Sequence, residues 1–132
     1  MNALTIRDLE QHVPILGWLL MLHYGLQAAE KLAGDGVDAE VVDVRSLSPI
    51  DYDTIGESVK KTGRVVIVYE APRTSGFGGE ISAILAEKVI EYLEAPIVRI
   101  TGFDTPFPYT LESLYMPEPG RIREAVLKVW KF

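Results

Sequence analysis

The stretch Arg64-Val65-Val66-Ile67-Val68-Tyr69-Glu70-Ala71-Pro72-Arg73-Thr74-Ser75-Gly76-Phe77-Gly78-Gly79-Glu80 decides the fold. Val65 to Tyr69 are apolar and mostly β-branched, the pattern of a strand buried on both faces. Pro72 and three glycines then break the chain. From Glu80 the period changes, and Ile81, Ile84, Leu85, Val89, Tyr92 and Leu93 recur at helical spacing. Strand, glycine-rich turn and helix make half of a parallel α/β unit.

The alternation continues on both sides. Upstream, Ala39 to Val44 is rich in β-branched residues and reads as a strand. Ser48-Pro49-Ile50-Asp51 then predicts a helix start, with Ser48 as N-cap, Pro49 at N1 and Asp51 at N3. Tyr52, Ile55 and Val59 form its apolar stripe, and Thr62-Gly63 ends it. Downstream, Ile97 to Thr101 reads as a strand. Gly102 to Pro119 is irregular and holds four of the chain's eight prolines. A loop of that length in a compact domain is usually functional or packs at an interface. A last helix carries Ile122, Ala125, Val126, Val129 and Trp130.

Length and composition bound the function. With 132 residues the chain is one domain, and with no cysteine it has neither disulfides nor thiolate chemistry. The net charge of −6 argues against nucleic acid, whose phosphates need a basic face. The most apolar run, Val13 to Leu22, contains Pro14 and Gly17 and is too short to span a bilayer. It has neither the basic flank nor the cleavage site of a signal peptide. A soluble, cytoplasmic domain without membrane contact is expected.

Three blocks carry a resemblance. They are Glu70-Ala71-Pro72-Arg73-Thr74 with Gly76-Phe77 and Glu80-Ile81, Asp43 to Asp51, and Arg99 to Tyr109. In order and spacing the chain resembles the C-terminal domain of the β subunit of thiamine-diphosphate-dependent 2-oxoacid dehydrogenases, the E1 components of the pyruvate and branched-chain complexes. The resemblance covers residues 26–132 strongly and 13–25 poorly. It implies a transketolase C-terminal-like domain over 13–132, a three-layer α/β/α sandwich with a mostly parallel sheet of about five strands. Four strands are expected near 13–17, 39–44, 65–69 and 97–101, with a fifth within 103–116. Residues 1–12 carry no motif and read as an arm, a short helix or an appended remnant.

Residues 13–24 depart from the family pattern, by selection or by design. Where polar or small residues are usual, this chain has Trp18, Leu19, Leu20, Met21, Leu22 and Tyr24. A helical wheel puts Leu22, Leu26, Ala29 and Ala33 on the core face, and Leu20 and Tyr24 opposite, beside Gln27 and Lys31. Such a patch predicts a protein interface at Trp18, Leu19, Leu20, Met21 and Tyr24. The alternatives are a better-covered helix, or one long helix begun at Pro14.

Candidate chemistry is sparse. The glycine cluster matches neither common phosphate-binding fingerprint, which favours tight strand-to-helix packing. Glu70, Arg73 and Glu80 sit at the carboxyl end of a parallel strand, where open sheets bind ligands. In the family this edge faces other domains, so an interdomain salt-bridge set is preferred. Tyr69 stands where the family often has His, which weakens any acid–base role. His12 and His23 lack partners at ligand spacing, so no metal is expected. His23 falls where the family often has His, facing the cofactor-bearing domains.

The resemblance implies missing parts. In the parent complex thiamine diphosphate and Mg²⁺ are held by the α subunit and the β N-terminal domain, with none in this fragment and no catalytic residue. The implied partners are E1 α, E1 β and the subunit-binding domain of the acyltransferase. The expected function is a non-catalytic assembly and docking domain, not an enzyme on its own. The alternative is the same scaffold with an altered apolar surface at 18–24 that binds a protein or a second copy of itself.

Overall fold

The structure, a computed structural model, describes residues 13–132 and the backbone of 4–7. Five strands form one sheet: β1 (Leu4–Arg7), β2 (Val13–Gly17), β3 (Ala39–Asp43), β4 (Val66–Pro72) and β5 (Val98–Gly102). Their order is β1-β3-β2-β4-β5. The last four are parallel, and β1 runs antiparallel to β3 at the edge. Four strands stand close to where the sequence puts them. The fifth is not within 103–116, which forms a 3-10 turn at Tyr109–Leu111 and the short helix α4 (Glu112–Tyr115). It is β1, inside the segment read as an arm, a short helix or an appended remnant. Residues 1–3 and 8–12, with His12, lie outside the described residues.

Period-two alternation divides the core between the faces of the sheet. Val13, Ile15, Val41, Val66 and Val68 pack under α1 (Leu20–Gly34) and α5 (Pro119–Trp130). Leu16, Val42, Val65, Ile67 and Tyr69 pack under α2 (Tyr52–Thr62) and α3 (Gly78–Val89). This is the expected three-layer sandwich. Among the described residues no helix is long and apolar enough to cross a membrane.

Several boundaries and faces differ from the expectation. Helix α1 buries Met21, Gly25, Ala28, Ala29 and Leu32, while Ala33 is exposed and Leu22 and Leu26 are half-buried. The wheel is right at Ala29 and wrong at Leu22, Leu26 and Ala33, because the buried face is turned toward Met21, Gly25, Ala28 and Leu32. A Cβ on Gly25 would stand 3.3 Å from Ile15 Cγ2, so the glycine permits the close approach. Pro14 starts no helix; it pairs with Glu40 inside the sheet. Helix α2 is capped by Asp51, not Ser48. Asp51 accepts from the Thr54 amide at 3.0 Å and the Thr54 hydroxyl at 2.7 Å, satisfying two donors at once. Helix α3 ends at Val89 and tightens into a 3-10 turn at Ile90–Tyr92, which leaves Tyr92 exposed. Strand β4 runs on past an irregularity after Val68, so that Pro72 lies opposite Gly102.

Arg121 fixes the loop after β5. Its guanidinium donates to the carbonyls of Thr101 at 3.0 Å, Met116 at 3.0 Å and Tyr115 at 3.2 Å. It also lies 4.9 Å from the centre of the Phe103 ring. The loop is irregular in path yet anchored at both ends.

Candidate functional site

The turns that follow β2, β3 and β4 meet at the carboxyl edge of the sheet. Each contains a non-glycine residue at positive φ: Leu19 at 55°, Arg45 at 58° and Ser75 at 59°. L-residues seldom adopt this region, and such strain gathers at functional edges. The edge has an apolar and a polar sector.

The apolar sector begins with Trp18, whose ring stacks on Tyr69 at 5.6 Å with an interplanar angle of 8°. Phe77 meets Trp18 edge-on at 6.4 Å. Tyr69 is buried, and a Cβ on Gly76 or Gly78 would overlap its ring. The glycine cluster therefore clears space for an aromatic ring, as the packing reading expects. Trp18 is half-buried and largely used within the chain.

The five expected interface residues do not share one surface. Met21 is 1% exposed and belongs to the core. Tyr24 is half-buried against the α1–α5 core and is not a solvent-facing patch. Its helix turns to the core the buried face described above. Leu19 and Leu20 are 79% and 42% exposed. Leu19 lines a groove of 680 Å³ with Trp18, Leu22, His23, Arg45 and Leu47. Leu20 also borders a hollow of 390 Å³ beside Glu70, Phe107, Glu112 and Tyr115. It thus joins the groove to the loop after β5.

That loop supplies residues the sequence reading did not single out. Phe107 packs edge-on against Tyr115 at 5.1 Å and Tyr109 at 5.4 Å. Tyr109 is 87% exposed, and Leu111 and Leu114 are exposed too. The available signal was a long, proline-rich connection containing Phe, Tyr and Leu.

The polar sector holds the other candidates. Arg73 and Glu80 line a hollow of 650 Å³ with Thr74, Phe77 and Arg99. Glu70 borders the other hollow, so the three expected edge residues are not brought into one set. No ion pair joins them to one another among the described residues. Thr74 is clamped to Asp104, donating from its amide at 2.9 Å and its hydroxyl at 2.6 Å. These bonds hold the Asp104 carboxyl below the usual carboxylate range. Exposed His23 lies across the groove from Asp43, which already accepts from Arg45 at 3.2 Å. No group of three or more acidic or histidine side chains suited to a metal ion occurs among the described residues.

The chain belongs to the transketolase C-terminal domain family, which it matches over residues 2–122. More particularly, it is similar to β subunits of 2-oxoacid dehydrogenases. It is 50% identical over 113 residues to the pyruvate dehydrogenase E1 component subunit beta of Leifsonia xyli, covering 85% of this chain and 34% of that one. It is 48% identical over 114 residues to the 2-oxoisovalerate dehydrogenase subunit beta of Pseudomonas aeruginosa, covering 84% and 33%. Among solved structures, an inactive β4 tetramer of a split-gene transketolase superposes with a TM-score of 0.84 at 29% identity, over 97% of this chain and 41% of that one. The chain spans about a third of the length of the β subunits it matches.

Proposed function

We propose that the chain is a non-catalytic assembly domain of a 2-oxoacid dehydrogenase E1 β subunit, and that it binds protein through the apolar part of its carboxyl edge. One observation carries the reading: Leu19, Leu20, Phe107, Tyr109, Leu111 and Leu114 are all exposed along that edge. Each large apolar side chain left in water forgoes about 1.5–3 kcal/mol of burial. Such concentrations usually mark interfaces, with aromatic residues as anchors. The partners that fit are the other E1 chains and the subunit-binding domain of the acyltransferase. Glu70 and His23, which border the apolar hollows, would then form part of the polar rim such interfaces have.

Self-association is the second reading. Leu19 favours it, because the edge retains an exposed leucine in a conformation better suited to glycine.

Thiamine diphosphate and Mg²⁺ belong, on this reading, to parts of the E1 component beyond this domain. Titration calorimetry with both should show no binding in the micromolar range, and the chain should not decarboxylate 2-oxoacids. Micromolar cofactor binding would overturn the assembly-only role.

A further inference from the structure

We propose that Arg73 and Arg99 form a receptor for the phosphate group of a small molecule, separate from the apolar docking surface. The two side chains lock each other. Arg73 Nη1 donates to the Arg99 carbonyl at 3.0 Å, and Arg99 Nη1 donates to the Arg73 carbonyl at 3.3 Å. Arg99 Nη1 also reaches the hydroxyl of buried Tyr69 at 3.2 Å. Both guanidiniums are therefore held in place by neutral oxygens. Neither is paired with a carboxylate among the described residues.

Each guanidinium carries five N–H donors. The bonds above use few of them, and both arginines line the 650 Å³ hollow. That volume lies within the usual range for small-molecule sites, roughly 300–1,000 Å³. Arg99 is also set against the first turn of α3: a Cβ on Gly79 would lie 3.3 Å from its Nη1. A cation there adds to the positive end of the helix dipole instead of offsetting it. Glu80 lines the hollow and Asp104, bonded to Thr74, lies beside Arg73, so two carboxylates stand near the two guanidiniums without forming an ion pair with either. A phosphate dianion offers two oxygens to each planar fork. A carboxylate supplies half that charge.

The test follows the amides of Gly76, Gly78 and Gly79 by nuclear magnetic resonance at constant ionic strength. Inorganic phosphate, pyrophosphate and acetate are titrated separately. Phosphate and pyrophosphate should give saturable shifts, with acetate at least tenfold weaker. Arg73→Gln should weaken phosphate at least tenfold with no change in melting temperature, because Arg73 is exposed and bonds to one carbonyl. Arg73→Lys keeps the charge, loses the fork and should recover only part of the affinity. Shifts that do not saturate, or that persist in Arg73→Gln, would overturn the proposal. Acetate equal to phosphate would also overturn it, and would assign the arginines to a carboxylate of a neighbouring domain. None of these variants changes Leu19, Leu20 or an apolar residue of the loop after β5, so this result stands apart from that of the docking surface.

Discussion

Leu19 turns the chain from β2 into α1 with φ 55° and ψ −131°, a conformation that favours glycine. Strain of this kind costs of order 1–3 kcal/mol. Glycine would relieve it, at an entropic cost of roughly 0.5–1 kcal/mol in the unfolded chain. Leu19→Gly should therefore stabilise the fold by about 1 kcal/mol, since the exposed side chain gives up little burial. Chemical denaturation checks it, and a lower midpoint would show that Leu19 packs more closely than its exposure implies. Tyr69 illustrates another local limit. Its apolar neighbours announce a buried strand, but nothing in the sequence pairs its ring with Gly76 and Gly78. The glycines were legible as packing residues, and the ring they accommodate was not.

At the scale of elements, helix α3 follows its pattern as far as Val89, with Ile84 half-buried and Tyr92 exposed beyond the helix. Ile81, Leu85 and Val89 are buried at the expected spacing, with Leu85 inside the α2–α3 core. Truncating such a leucine to alanine costs about 2–5 kcal/mol. Leu85→Ala should lower the denaturant midpoint by a matching amount, and a negligible shift would mean that the core repacks around the gap. Helix α1 shows why other elements were harder to read. The wheel places Ala29 correctly but also selects Leu22, Leu26 and Ala33, whereas Met21, Gly25, Ala28 and Leu32 are the other buried residues. Gly25 and Ala28 are small, and hydrophobicity alone ranks them low. Strand β1 was missed for another reason. Four residues at a sheet edge, pairing antiparallel, give too short a run for alternation to register. The parallel strands, buried on both faces, were legible because their β-branched runs have few other uses.

For the whole molecule, the order of elements fixes what the edge can present. Parallel strands send every helix-bound turn to one end of the sheet, so Leu19 and Leu20 meet the loop after β5 there. The sequence marked the Trp18–Tyr24 segment and the long loop separately; only the fold joins Leu20 to Phe107. The fold also withdraws Met21 from the surface and half-buries Tyr24, so a test must use residues that are more exposed. Light scattering of the intact chain against concentration, repeated for Leu20→Lys combined with Tyr109→Lys, is the most direct measurement. Self-association through this edge predicts concentration-dependent association for the parent chain and a sharp loss in the variant, with the melting temperature of the monomer unchanged. Association that survives both lysines, or a variant that no longer folds, would contradict self-association through the carboxyl edge.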